Sequence, residues 1–135
     1  MKLLTSVGTL LLLLAVGACS NTDKPIGDTS QNALDWPGIY QGKLPCSNCD
    51  VIAVTLELAQ DNSYSFTQQH IGIDRKPEVV TGQFTWLKNG SQIKLDTKVW
   101  PTQLQVGENQ LFILDEQGKR YTGPRSVRYI LLKQQ

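Results

Sequence analysis

Apolar and polar residues alternate along most of the chain after residue 35. In the run VIAVTLEL, at positions 51–58, four apolar side chains fall on one face of an extended backbone, while Thr55 and Glu57 fall on the other. Alternation over four to eight residues is typical of β-strands with one buried face. Shorter runs with the same period occur at positions 64–67, 84–86, 93–95, 103–106, 111–114 and 127–132.

Turn-forming residues separate these runs. Asn89 and Gly90 form an Asn-Gly pair, which is a strong short-range signal for a β-hairpin, and polar segments such as 60–63 and 115–118 have the composition of turns. We therefore predict an all-β fold, a small up-and-down β-barrel of about eight short antiparallel strands. A sandwich is the alternative, but consecutive hairpins produce a sequential strand order, and closure removes the exposed sheet edges.

The first 18 residues have the pattern of an export signal. Lys2 gives a positive start, and an apolar run follows at positions 7–16. This run is too short to cross a bilayer as a helix, which takes about 20 apolar residues, so the segment is interpreted as a secretory signal. Its end, VGAC at positions 16–19, resembles the bacterial lipobox, in which the cysteine is diacylated on sulfur and becomes the first mature residue. An ordinary signal peptide with a coincidental cysteine is the alternative.

The lipobox and the composition together set the expected division of the chain. The lipobox resemblance implies a lipoprotein signal peptide at 1–18 and an acylated Cys19, while polar composition predicts a flexible tether over 19–35 and the alternating pattern predicts a β-barrel domain at 36–135. The tether, SNTDKPIGDTSQNALD, is polar and cannot bury a core of its own. Ser20 stands where an Asp would retain a lipoprotein in the inner membrane, so the resemblance implies a lipid anchor in the outer membrane, with the protein on its periplasmic face.

Composition argues against two broad classes of function. The 13 basic and 12 acidic residues include Lys2, the only charge in the first 18 residues, so the rest of the chain carries twelve of each sign. It has no basic patch of the kind that nucleic-acid binding requires, and we predict no nucleic-acid partner. His70 is the only histidine, and no Ser/His/Asp or paired-carboxylate arrangement can be read from the spacing, so we predict that the protein is not an enzyme.

Cys46 and Cys49 form a CxxC pair that admits three interpretations. A redox catalyst would lower a thiol pKa with a helix N-terminus or a nearby cation, yet Asp50 and a strand-like run follow Cys49. A metal site of two reduced thiolates could hold Cu(I), but His70 is the only imidazole available to support it. In the oxidising periplasm the default state is a disulfide. We therefore predict a Cys46–Cys49 disulfide and no resident cofactor, with Cu(I) at this pair as the alternative.

Several aromatic and basic residues are secondary candidates. The tryptophans could line a barrel mouth and bind an apolar ligand, but an eight-stranded barrel has an interior little larger than its own side chains, so core packing is favoured. A basic cluster near the C-terminus could meet lipid head groups or an acidic partner, although solvated positions are the simpler expectation. These residues are Trp36, Trp86 and Trp100, and Arg120, Arg125 and Arg128.

One block of residues resembles a known family. The pattern YxGxLPCxxC at positions 40–49, followed by an apolar strand, is similar to the N-terminal domain of NlpE-type outer-membrane lipoproteins. Later matches at 82–86 and 93–95 are generic for small barrels. The resemblance implies a small barrel similar to a lipocalin. It also implies a role in copper tolerance, or in signalling envelope stress or surface contact to a sensor kinase.

The lipobox and this resemblance together give the predicted function. We expect a non-enzymatic outer-membrane lipoprotein that acts in an envelope-stress or copper-tolerance response through contact with an envelope sensor protein. Better-known family members carry a second domain similar to an oligonucleotide/oligosaccharide-binding fold, and signalling that needs such a domain is not implied. The alternatives are a lipocalin-like binder of an apolar small molecule and a Cu(I) or redox-switch protein that acts through Cys46 and Cys49.

Overall fold

Residues 27–135 and Gly17 are the part of the chain that this computed structural model describes. The predicted lipidation site Cys19, the rest of the predicted signal peptide and the first part of the tether lie outside the described residues. Among the residues that are described, no helix combines the length and the apolar character needed to span a membrane.

From residue 38 onward the chain forms eight antiparallel strands that close into a barrel in their order along the sequence. Each strand pairs with the next, and the last returns to pair with the first. This arrangement confirms the predicted up-and-down barrel. The strands are β1 (Gly38–Leu44), β2 (Val51–Leu58), β3 (Ser63–Ile71), β4 (Glu78–Trp86), β5 (Gln92–Leu95), β6 (Gln103–Gly107), β7 (Gln110–Ile113) and β8 (Ile130–Lys133).

The inward side chains of the strands fill the barrel. Leu56 of β2 lies opposite Tyr40 of β1 and Phe66 of β3, and all three side chains are buried, whereas the next residue, Glu57, is exposed. Burying one large apolar side chain contributes about 1.5–3 kcal/mol relative to leaving it in water. The core consists of Trp36, Tyr40, Leu44, Val54, Leu56, Leu58, Tyr64, Phe66, Phe84, Ile93, Leu95, Leu104, Val106, Leu111, Ile113 and Leu131.

Two strands are longer than the alternating pattern indicates. β1 forms a full strand although no alternating run marks it, because two of its four inward positions are the glycines Gly38 and Gly42. β4 begins at Glu78, well before the run at 84–86, and it too has a glycine, Gly82, at an inward position. A glycine contributes no apolar side chain to the pattern, so the period of two is hidden at these positions.

The alternation at 127–132 overstates the last strand. Residues Ser126–Tyr129 form a 3₁₀ turn, and the strand begins only at Ile130. Within this turn Tyr129 stacks on Tyr121, with ring centroids 3.6 Å apart and an interplanar angle of 10°. The alternating pattern therefore predicts a strand at positions where the chain forms a turn, and Tyr129 of this turn packs on Tyr121.

The connections between strands fall at two ends of the barrel. The connections 45–50, 72–77, 96–102 and 114–129 share the end that carries the CxxC pair, which we call the disulfide end. The opposite end has tighter turns between strands and receives the chain that precedes β1. We call it the N-terminal end.

Trp36 closes the N-terminal end. Its side chain is 9% exposed and packs edge-on against Phe84 and Trp86, with ring centroids 5.7 and 5.4 Å away. Its Nε1–H donates to the carbonyl of Gln31 at 3.2 Å, and its own carbonyl accepts a 2.6 Å hydrogen bond from the Tyr40 hydroxyl. Trp36 and Trp86 therefore serve core packing, as the sequence indicates.

The last part of the expected tether docks on the barrel. A short helix, α1 (Ser30–Ala33), lets the Ser30 hydroxyl donate to the carbonyl of Val106 at 2.6 Å. The Gln31 N–H donates to the carbonyl of Gly90 at 2.9 Å, and Gly90 has φ 66° in the predicted Asn-Gly turn. These bonds satisfy two carbonyls at the N-terminal end. The structured part of the chain therefore begins earlier than residue 36.

The buried tyrosine Tyr40 predicts a loss of stability at high pH. Burial raises the pKa of its hydroxyl from 10.0 to about 12, with a further contribution from Asp35. The unfolded chain therefore ionises first, so the stabilisation is complete below pH 10 and is lost between about pH 10 and 12. We expect the free energy of unfolding in urea to fall less steeply over this range in Tyr40→Phe, with a difference of up to about 2 kcal/mol.

The slope with pH is the informative quantity in this comparison. Tyr40→Phe also removes the hydrogen bond to Trp36, which sets a constant difference in stability between the two proteins below pH 10, where the hydroxyl is protonated. Parallel curves for the two proteins between pH 10 and about 12 would contradict the assignment of the stabilisation to this hydroxyl.

Candidate functional site at the disulfide end

Cys46 and Cys49 lie in the connection between β1 and β2. Their Sγ atoms are 1.99 Å apart and their Cα atoms 5.3 Å apart, so the structure holds the pair as a disulfide. Both cysteines are half-buried. The Asp50 N–H donates to the carbonyl of Ile71 at 2.8 Å, which attaches the end of this turn to the last residue of β3. The disulfide thus closes a short turn that is fixed to the neighbouring strand.

A surface cavity of about 370 Å³ lies beside the disulfide. Lys43 and Arg128 supply two positive charges and Asp50 supplies one negative charge, while the remaining walls are largely apolar. Its mixed lining suits it to receive a charged side chain or chain end of another protein more than an apolar small molecule. The lining residues are Lys43, Leu44, Pro45, Cys46, Asp50, Val51 and Arg128.

The local structure bears on the interpretations of the CxxC pair. Cys49 is followed by β2, so no helix N-terminus lies there to lower a thiol pKa, as a redox catalyst would need. In the disulfide neither sulfur is a thiolate, which is the species that binds Cu(I). Within residues 27–135, no group of three or more His, Cys, Asp or Glu side chains is placed to hold a metal ion. In this state the pair is a structural link.

A polar cluster lines the mouth of the barrel at the same end. An Arg75 Nη2–H donates to Glu78 Oε1 at 2.5 Å, and Gln68 Nε2–H donates to Glu78 Oε2 at 2.9 Å. These bonds, that from Arg75 most strongly, hold the pKa of the Glu78 carboxyl below its ordinary value. The contacts attach the connection 72–77 to β3 and β4.

His70 lies near the end of β3, opposite Ile52, and its side chain is half-buried. Its Nδ1 is buried and has no hydrogen-bond partner in the part of the chain that the structure describes. The inward face of β3 places it next to the polar cluster, which spacing along the chain does not indicate.

The other connections at the disulfide end expose aromatic and apolar side chains. Trp100 is 37% exposed, and its ring meets Tyr129 edge-on with centroids 6.4 Å apart. Val127, in the 3₁₀ turn, is 68% exposed. Of the predicted mouth residues, only Trp100 therefore lies at this end, where it extends an exposed apolar surface instead of filling the interior.

The three arginines near the C-terminus occupy separate environments. The Arg120 guanidinium lies 3.7 Å from the centre of the Phe112 ring, a cation–π geometry. Arg125 is exposed, and Arg128 reaches the cavity beside Cys46. Only Arg128 therefore contributes to the candidate site.

A small up-and-down barrel that is filled by its own side chains and carries a CxxC disulfide at one end defines the class of protein. A family model described as the NlpE N-terminal domain matches residues 40–124. The match covers more than half of the 135 residues, and the chain belongs to this family. The resemblance seen in the LPCxxC block is confirmed.

Individual relatives show the same likeness. A protein of Shewanella oneidensis, described as a lipoprotein and solved as a crystal structure, is 48% identical, with a TM-score of 0.74 over 81% of this chain and 98% of its own. The crystal structure of the Cpx pathway activator NlpE of Escherichia coli matches with a TM-score of 0.54 at 19% identity, over 64% of this chain and 46% of that one, and this likeness shows the fold alone. The curated Lipoprotein NlpE of Escherichia coli K12 is 25% identical over 83 residues, or 61% of this chain. The chain spans only 35% of that relative's length.

Removal of both cysteines tests how much the disulfide stabilises the fold. The ring from Cys46 to Cys49 is short, so its closure removes little entropy from the unfolded chain. We expect Cys46→Ser/Cys49→Ser to lower the free energy of unfolding by about 2 kcal/mol and to leave the strand content unchanged in circular dichroism. Urea unfolding of the wild type with a reductant should give a similar loss. A double variant that fails to fold, or one as stable as the wild type, would contradict this expectation.

Proposed function

We propose that this chain is an outer-membrane lipoprotein that acts in an envelope-stress or copper-tolerance response by contacting another protein. The family match across residues 40–124, which includes the CxxC pair, carries the proposal. The Shewanella oneidensis relative is described as a lipoprotein and the Escherichia coli relative as an activator of the Cpx pathway. The proposal extends both descriptions to this chain.

The geometry of the barrel supports a particular orientation of the anchored molecule. Cys19 precedes Ser30, the first residue of α1, by 11 positions. Even a fully extended chain of that length spans at most about 40 Å. Because α1 docks at the N-terminal end, a lipid on Cys19 favours an orientation with that end toward the membrane. The disulfide end then faces the periplasm and its proteins.

Contact through the outer surface fits this barrel better than enclosure of a ligand. A lipocalin-like carrier needs an interior space for its ligand. In this barrel the buried side chains of the core fill the interior, and Trp36 closes one end. The disulfide end offers a cavity with charged lining and the exposed Val127. We therefore place the contact with the partner at the disulfide end.

The anchor is tested by changing the predicted lipidation site. Cys19→Ala should abolish incorporation of radiolabelled palmitate and should move the protein from the membrane fraction to the soluble periplasmic fraction. Cys46→Ser/Cys49→Ser is the matched control, because it removes the other two of the 3 cysteines and should leave labelling unchanged. Palmitate that fails to label the wild type, or a Cys19→Ala protein that stays membrane-bound, would refute the anchor.

The contact surface is tested with a pair of apolar-to-acidic variants. Val127→Asp places a charge at the disulfide end, whereas Leu132→Asp places one on the barrel wall, and the two side chains are 68% and 57% exposed. In cells that lack their own NlpE-type protein, we expect overproduced wild type and Leu132→Asp to induce an envelope-stress reporter. Val127→Asp should induce it at least several-fold less at equal membrane abundance. Equal induction by the two variants would move the contact away from this end.

A further inference from the structure

One strand of the barrel lacks a neighbour along half of its length. β4 pairs with β3 from Glu78 to Gln83, but it pairs with β5 only through its last three residues, which face Ile93 to Leu95. Over residues 78–82, β4 therefore has a neighbouring strand on one side only. We call this segment the free edge.

Asp96 marks where the pairing with β5 stops. Its N–H donates to the Gln83 carbonyl at 3.1 Å, and its carboxylate accepts hydrogen bonds from the Gln83 N–H at 3.1 Å and from the Tyr64 hydroxyl at 3.0 Å. A Cβ on Gly82 would overlap this carboxylate, so the glycine allows Asp96 to fold onto β4. Beyond Asp96 the chain leaves the sheet as the connection 96–102.

The alternation of backbone groups shows which of them face outward at the free edge. Both backbone groups of Gln83 point toward the β5 side, since Asp96 bonds them there. In an antiparallel strand every second residue points its N–H and C=O to the same side, so those of Thr81 and Val79 also point away from β3. No strand among the described residues pairs with them on that side. Val79 is 61% exposed and Thr81 is exposed as well.

We propose that the free edges of two copies of this chain pair with each other. Antiparallel pairing about a two-fold axis through Val80 sets Val79 of each copy opposite Thr81 of the other. Both residues present one donor and one acceptor, so each such pair exchanges two hydrogen bonds and the interface contains four. The edge is thus complementary to itself, and the inference goes beyond the proposed function because it names a further partner.

Charge complementarity favours a second copy over an unrelated strand. Asp96 already occupies the edge position beside Gln83, so in this register the strand pairing ends at residue 78 and Pro77 of one copy comes against Asp96 of the other. Lys76, one position further along, therefore comes beside Asp96 of the other copy. Lys76 is exposed, and neither side chain forms an ion pair with another described residue. The two-fold axis makes this Lys76–Asp96 contact twice.

The short contact makes the pairing transient, so a covalent trap is the appropriate test. Five residues from each copy fall well below the area of a stable interface. Val80 lies on the axis, and its Cα atoms in the two copies would be about 4.5 Å apart, within disulfide range. Val79 would be about 7–8 Å from its counterpart, outside that range. A cysteine at position 79 is therefore the matched control for a cysteine at position 80.

The test uses purified full-length protein in detergent, oxidised with diamide. Val80→Cys should form several-fold more disulfide-linked dimer than Val79→Cys on non-reducing gels, and mass spectrometry should assign the bond to residue 80 of both copies. Unchanged urea unfolding midpoints show that both variants fold. Equal cross-linking of the two variants, or none, overturns the proposal and leaves the edge to another chain or to solvent.

A charge change tests the register independently of the cysteines. Adding Lys76→Glu to Val80→Cys should reduce the yield of dimer, because it sets two carboxylates beside each other twice. Lys88→Glu is the control, since it makes the same charge change in the turn at the N-terminal end. Equal loss with both changes would argue for a nonspecific charge effect and against this register. Neither measurement depends on palmitate or on a stress reporter, so the outcome is separate from that of the proposed function.

Discussion

Closure of one barrel from four long and four short strands is the constraint on which the other features depend. β1 to β4 contain seven to nine residues each, whereas β5 to β8 contain four or five. Closure requires every strand to pair with both neighbours, and β8 meets β1 only at Tyr40 and Gln41. The short strands cannot cover the full length of the long ones. The free edge of β4 and the long connections at the disulfide end follow from that mismatch.

The two ends of the barrel consequently have different character. At the N-terminal end, Trp36 and the docked α1 seal the core and satisfy turn carbonyls, so this end is closed before any partner arrives. At the disulfide end, the connections that replace strand length display Trp100, Val127 and the charged cavity. The proposed orientation uses this difference, with the N-terminal end toward the membrane and the disulfide end toward the partner protein.

The barrel could be predicted from the sequence because strand burial leaves a local signature. The alternation at 51–58 became β2, and Asn89-Gly90 became a turn with Gly90 at positive φ. β1 was hidden because Gly38 and Gly42 interrupt the apolar face. In each of these cases, whether a strand or a turn could be predicted depends on residues only a few positions away along the chain. A sequence pattern contains information over that short separation.

The candidate site was harder to predict from the sequence because it depends on contacts between distant parts of the chain. Arg128 lies 82 positions after Cys46, yet both line one cavity. Ser30 bonds to Val106 across 76 positions, which is why a polar segment that resembles a tether docks on the barrel. The cysteine pair itself could be interpreted through compartment chemistry, but spacing alone gives no indication of the charged residues around it.

The small stabilisation expected from the disulfide limits how the protein could respond to a redox change. Domains of this size are stable by about 5–15 kcal/mol, and a ring as short as that between Cys46 and Cys49 contributes about 2 kcal/mol. Reduction would therefore leave the barrel folded and would change only the turn and the adjoining cavity. A partner could detect such a change only by touching this surface. Any sensitivity of this barrel to thiol chemistry or to copper at the pair would thus have to be transmitted at the disulfide end, where we also place the protein contact.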